Sequence, residues 1–214
     1  MKIMKIVAVA FMLVAFYGCA DKSKEVYNKP ALYWYGEIIK NIKDFDLEEA
    51  DNLYTSLSSE HVSSPLLPEA MIILAQAHMD EEEYLLANFY LDEYIKRFGT
   101  TKKSEYARFM KIKANFESFP NPNRNQQLLL DTLKQTKEFV LKYPESKYRP
   151  MVETMYVKLK LGEHFMVKNI ADLYSRIDKP EAAKIYQDQF DQSALKNAQM
   201  IKPNIPWYRA WFEE

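Results

Sequence analysis

Apolar side chains recur at three- and four-residue spacing along almost the whole chain, alternating β-branched runs are missing, and only four glycines serve 214 residues. This pattern points to an all-α protein, because positions i, i+3, i+4 and i+7 share one face of a helix. Helices are expected at 30–43, 47–59, 66–79, 83–98, 103–117, 125–142, 147–176 and 180–199, in antiparallel pairs. Pro65, Pro144 and Pro180 mark the junctions, and Pro120-Asn121-Pro122-Asn123 makes the stiffest loop. Asp80-Glu81-Glu82-Glu83 sets an acidic residue three positions before a glutamate at the head of the next apolar run, the pattern of a capping box. These consecutive carboxylates do not converge on one point, so no metal site is expected from them.

The only cysteine, Cys19, follows a leader of two lysines, an apolar run from Ile6 to Phe16, and Gly18. That run is shorter than the ~20 residues that cross a bilayer. It has the form of a bacterial lipoprotein signal, removed with residues 1–18 so that Cys19 carries the lipid. Each buried methylene contributes ~0.8 kcal/mol, so several acyl chains tether the product to a membrane surface. Gly18 and Ala20 also fit ordinary signal cleavage, which would release a chain beginning at Asp21, but a lone cysteine at this place favours lipidation. Ala20 stands where inner-membrane lipoproteins commonly carry aspartate, so the expected address is the periplasmic face of the outer membrane.

Losing the leader leaves 196 residues: a lipidated polar tether at 19–29, a helical-repeat domain at 30–200 and an aromatic tail at 201–214. One cysteine permits no disulfide within a chain, so packing alone must hold the fold. A formal net charge of −1 offers no footprint for nucleic acid, and no cofactor is expected beyond the lipid on Cys19.

The helical pairs repeat one another, each resembling the 34-residue tetratricopeptide unit. Leu74, Ala75 and His78 stand where that unit wants large, small and aromatic residues; Tyr84 follows the turn, and Ala87, Leu91 and Tyr94 continue on the second helix. Ile170, Ala171, Tyr174, Ala183 and Phe190 repeat the arrangement, and Trp34, Ala50, Tyr54 and Leu57 give a weaker version. Small residues let helix axes approach while aromatics fill the wedge between neighbours. The expected fold is a superhelical solenoid of about four such hairpins, the third degenerate, followed by the tail.

Three stretches resemble the BamD (ComL-like) family of outer-membrane assembly lipoproteins over roughly residues 19–190. Ala87 to Phe98, with its basic-aromatic end Arg97-Phe98, is similar to the family's second repeat. Arg124-Asn125-Gln126-Gln127, then a helix ending in Tyr143-Pro144-Glu145-Ser146-Lys147-Tyr148, is similar to its Arg-Asp-x-x segment and Tyr-Pro-x-Ser-x-Tyr motif. Ile170-Ala171-Asp172-Leu173-Tyr174 with Ala182-Ala183 is similar to its apolar-Ala-x-x-Tyr helix. Asp131 and Thr132 depart from the small residues usual there, and the chain stops where the family continues into a fifth repeat. The resemblance implies a non-catalytic scaffold that binds the barrel-inserting subunit BamA, other assembly subunits and targeting segments of unfolded outer-membrane proteins.

Two surfaces are candidates for such contacts. In stacked hairpins the first helices line a concave groove, where Tyr35, Ile39, Ile72, Gln76, Met79, Tyr106 and Phe109 fall by repeat position. The tail carries Trp207, Tyr208, Trp211 and Phe212, which with Arg124 are candidate docking residues. The tail could equally cap the open end of the solenoid. His61, His78 and His164 are far apart and form no zinc motif, and no nucleophile elbow or phosphate loop is present, so no enzyme is expected. A pilus or secretin pilotin or a cell-envelope coordinator would share the anchor and repeats.

Overall fold

The computed structural model describes residues 27–119 and 125–198, with the side chains of Thr101 and Lys103 left aside. Among the described residues lie eight helices and no strand: α1 (Ala31–Lys43), α2 (Leu47–Glu60), α3 (Leu66–Asp80), α4 (Tyr84–Phe98), α5 (Thr101–Glu117), α6 (Gln126–Lys142), α7 (Arg149–Arg176) and α8 (Pro180–Asp191). Each expected boundary falls within two residues except the last. Beyond Asp191 the chain turns, because Ser193 Oγ accepts the Leu195 N–H and its carbonyl accepts from Lys196, competing with a helical ladder.

Every helix packs on the next, which makes four hairpins: α1–α2, α3–α4, α5–α6 and α7–α8. The first helices also meet across pairs, α1 on α3 and α5 on α7. Successive packing of this kind is a tetratricopeptide-like solenoid.

Hairpins one, two and four close through the same three-residue turn. Phe45, Glu82 and Asp178 take left-handed backbone angles, with φ of 60°, 62° and 56°. The next N–H then reaches back to a carbonyl five residues earlier: Asp46 to Asn41, Glu83 to His78 and Lys179 to Tyr174, at 2.9, 2.7 and 3.0 Å. This Schellman closure usually employs glycine, and a side chain there costs roughly 1–2 kcal/mol. The turn also corrects the capping-box expectation. Asp80 is still inside α3, and the Glu83 side chain makes no capping bond to α4, because its carboxylate is taken by His78 at 2.6 Å. Side-chain caps do form at Asp46, which accepts from Glu49 N, and at Asn125, which accepts from Leu128 N. The third hairpin has no three-residue turn, and α5 and α6 touch sparsely beside the other pairs.

The core follows this division. One continuous cluster, including Ile38, Leu57, Leu74 and Leu91, runs from α1 to Val152 and Met155 of α7. A second, around Leu129, Leu133, Leu159 and Met166, joins α6 to the middle of α7, and Phe116 packs against both.

Candidate docking surfaces

The expected repeat-packing residues occupy the hairpin interiors. Leu74, Ala75, Ala87, Leu91, Tyr94, Ala171 and Ala183 are buried, while Tyr84, Ile170 and Tyr174 are half-buried. In the fourth hairpin Tyr174 stacks on Tyr186, centroids 5.5 Å apart.

The expected groove residues divide. Tyr35, Ile39, Ile72 and Tyr106 are half-buried and Gln76 is exposed, so all five keep accessible surface on the first helices of consecutive pairs. Met79 and Phe109 are only 5% and 6% exposed and belong to the core. Phe109 faces the neighbouring hairpin, where its ring stacks on Tyr148 at 4.4 Å and 10°, with Tyr106 closing the cluster 5.7 Å from Tyr148. A helix packed on both sides has few open positions, and an apolar residue one turn from the open stripe is drawn inward.

The same cluster gives Tyr143-Pro144-Glu145-Ser146-Lys147-Tyr148 a structural meaning. The buried Tyr143 hydroxyl lies 3.1 Å from Ser104 Oγ. Ser146 Oγ donates to Glu105 at 2.6 Å while accepting the Tyr148 N–H at 3.1 Å. Pro144 gives its carbonyl to Arg149. The motif therefore bolts the α6–α7 turn onto α5 and sets where hairpin four begins. Thr132, one of the departures from the family pattern, is fully buried and donates to its own helix at Leu128 O, 2.7 Å away. The other, Asp131, is exposed and accepts from Gln127.

A polar clasp that periodicity alone does not reveal joins hairpins one and two. Asp51 Oδ1 on α2 accepts from the Tyr90 hydroxyl at 2.6 Å and lies 3.0 Å from His78 Nε2; His78 Nδ1 meets Glu83 Oε2 at 2.6 Å. The imidazole stacks on the Tyr90 ring at 5.6 Å and 12°. With a carboxylate at each nitrogen, the ring is best satisfied when doubly protonated. Burial disfavours that charge, yet the bonds to Asp51 and Glu83 outweigh it and raise the His78 pKa above 6.5. Burial, reinforced by Asp51, raises the Tyr90 phenol as well. The available signal was the five-residue spacing of His78 and Glu83 across a tight turn. His164 is placed otherwise: buried at the α7–α8 contact, stacked on Phe190 at 4.2 Å, its Nε2 without a partner among the described residues, and its pKa lowered by burial.

The second helices leave open channels between them. A groove of roughly 670 Å³ lies between α4 and α6, with α5 as its floor. Arg108 and Ile112 form the base, Asp92 and Ile95 one wall, and Gln135, Glu138 and Phe139 part of the other. Lys111 bridges to Asp92 at 2.5 and 2.7 Å. Asn88 Nδ2 donates to Asn115 Oδ1 at 2.7 Å and Asn115 Nδ2 to Gln135 Oε1 at 3.0 Å, a ladder that ties α4, α5 and α6. Arg108 Nε is buried with no acceptor among the described residues. Leaving such a group unmet costs about 1–3 kcal/mol, more where it is charged. A smaller channel of roughly 320 Å³ separates α2 from α4 beside Asp51 and Tyr90.

Among the described residues no cluster of three or more His, Cys, Asp or Glu could hold a metal, and no helix is long and apolar enough to cross a membrane. Cys19, Arg124, Trp207, Tyr208, Trp211 and Phe212 lie outside the described residues, as do the leader, most of the tether, the Pro120–Asn123 loop and the tail.

The YfiO outer membrane lipoprotein family matches residues 28–186, from just before α1 into α8. Over 198 residues the chain is 44% identical to the outer membrane protein assembly factor BamD of Helicobacter pylori, an alignment that takes in 92% of this chain and 90% of that one. The two are therefore of similar length. BamD of Caulobacter vibrioides is 25% identical over 148 residues, 66% of this chain and 48% of its own. With eight helices stacked in pairs and a match that spans nearly all of them, the chain belongs to the YfiO family of outer membrane lipoproteins, the BamD assembly factors.

Proposed function

We propose that this protein is a non-catalytic scaffold of outer-membrane β-barrel assembly, anchored by lipid on Cys19 at the periplasmic face of the outer membrane. The near full-length likeness to BamD of Helicobacter pylori carries the reading. A row of rigid hairpins, bolted together by the Tyr143–Tyr148 turn and the Asp51–His78 clasp, suits an adapter that holds other polypeptides without reacting with them. Its partners are a BamA-like barrel-inserting subunit and other assembly subunits, with unfolded outer-membrane proteins received along the open positions Tyr35, Ile39, Ile72, Gln76 and Tyr106.

Affinity purification from solubilised outer membranes tests the scaffold. Recovery of the barrel-inserting subunit supports it, and recovery of pilus or secretin subunits instead replaces it with the pilotin reading. Crosslinkers at Tyr35 and Gln76 capture an incoming barrel protein if the row receives substrate; a blank result there withdraws that part. Fatty-acid labelling abolished by Cys19→Ser supports the anchor. Deleting residues 203–214 separates two roles for the tail. A large drop in melting temperature marks a cap over the exposed Leu173, Ile177 and Ile185 of hairpin four, whereas intact folding with lost partner capture marks a docking segment.

A further inference from the structure

We infer that the groove over α5, between α4 and α6, seats an acidic side chain of a partner polypeptide on Arg108. The inference rests on the reading of this protein as a binder of other polypeptides. Along α5 the residues Arg108, Lys111, Ile112 and Asn115 form one stripe at i, i+3, i+4 and i+7. Three of them are accounted for: Lys111 by Asp92, Ile112 by burial and Asn115 by its two amide partners. Arg108 is the exception, with its Nε buried and no ion pair or hydrogen bond among the described residues. A guanidinium stays charged at any physiological pH, and its planar fork matches a carboxylate with two parallel hydrogen bonds.

The rest of the lining says how much charge is wanted. Lys134 leans on Glu138 at 3.9 Å, Lys142 lies over the Tyr143 ring at 5.5 Å, and Asp131 accepts from Gln127. Among the described residues four cations and three anions line the groove, so one carboxylate brings these to neutrality. A phosphate would carry its second negative charge into the company of Asp92, Asp131 and Glu138.

Length selects a polypeptide over a small acid. The α6 wall runs from Asp131 to Lys142, about 16 Å at 1.5 Å per residue, which roughly five residues of extended chain would span. Half-buried Ile95, on the α4 wall, offers apolar contact for a neighbour of the acid. Because Arg108 lies on the floor, a carboxylate on a flexible stem reaches it from a chain along the rim, whereas a chain terminus would require the backbone itself to descend.

Three fluorescent probes test this on the full chain in detergent: an end-blocked pentapeptide with a central glutamate flanked by leucines, its glutamine counterpart, and that counterpart with a free C-terminal carboxylate. The glutamate peptide is expected to bind at least tenfold more tightly than either of the others. Arg108→Gln should remove the difference, Arg108→Lys should keep part of it, and Lys134→Glu on the wall should weaken the glutamate peptide selectively. Each variant is checked for an unchanged melting temperature. Equal binding of the glutamate and glutamine peptides overturns the proposal, as does undiminished selectivity in Arg108→Gln, or a free terminus that binds as well as the side chain. The scaffold reading survives such a failure, since recovery of the barrel-inserting subunit by the unaltered chain decides it separately.

Discussion

Hairpins two and four are built alike, closed by the same left-handed turn and each burying one histidine, yet they treat its proton in opposite ways. His78 and His164 are 1% and 4% exposed. His78 lies between Asp51 and Glu83, whose bonds shift it towards the protonated form, while His164 faces Phe190, where burial shifts it towards the neutral form. Both rings are almost closed to solvent and burial opposes the charge in each, so the partners at the ring nitrogens set the direction of the shift. The consequence is a difference in what the ring holds together. In hairpin two the histidine binds α3 to α2 of the preceding pair, whereas in hairpin four it serves as an aromatic filler within its own.

Removing a partner should break the comparison most forcibly. Asp51→Ala leaves the Tyr90 hydroxyl and His78 Nε2 without their acceptor and is expected to cost about 2–3 kcal/mol in urea unfolding. His164→Phe keeps the ring stack and removes an unpaired nitrogen, so it should change stability by less than about 1 kcal/mol. Equal losses would show that the two histidines are interchangeable fillers.

Melting temperature against pH sharpens the contrast, with opposite signs for the two rings. The His78 pKa is raised by folding, so its contribution is fully present below the unfolded value near 6.5 and is lost as pH climbs through the higher folded value. The His164 pKa is lowered, so its contribution is present above 6.5 and is lost as pH falls towards the folded value. Asp51→Asn should flatten the alkaline slope alone, and His164→Phe the acidic slope alone. A slope that ignores both variants refutes the assignment.

The shared turn gives the smallest effects. Glu82→Gly relieves a left-handed angle and should stabilise the protein by about 1 kcal/mol; Asp178→Gly should do so by a few tenths, since aspartate tolerates that region better than glutamate. A loss in either would mean that the side chain makes a contact worth more than the strain.

Most of the solenoid was legible because its code is local. Apolar spacing placed the helices, and the small residues Ala75, Ala87, Ala171 and Ala183 at repeat positions are all buried. What was misread depended on choices between partners. Asp80 and Glu83 have the spacing of a cap, but the nearby His78 ring holds the Glu83 carboxylate. Met79 and Phe109 sit at groove positions by count and turn inward because the adjacent hairpin offers Tyr148 and the main core. The groove around Arg108 draws on three helices separated along the chain, so no single window of sequence displays it. The Tyr143–Tyr148 motif was visible as a resemblance, and its role as a bolt emerged only with Glu105 and Ser104 beside it.

The division of the core into two clusters gives the molecule a graded order of opening. The first six helices share one large apolar network, whereas the middle of α7 belongs to a smaller cluster of four buried apolar residues shared with α6, and α8 contributes Ala183 as its one buried side chain. Amide protons of α8 should therefore exchange with solvent first and those of α3 and α4 last. A chain with this gradient opens from the α8 end while the hairpins around α3 and α4 keep their shape.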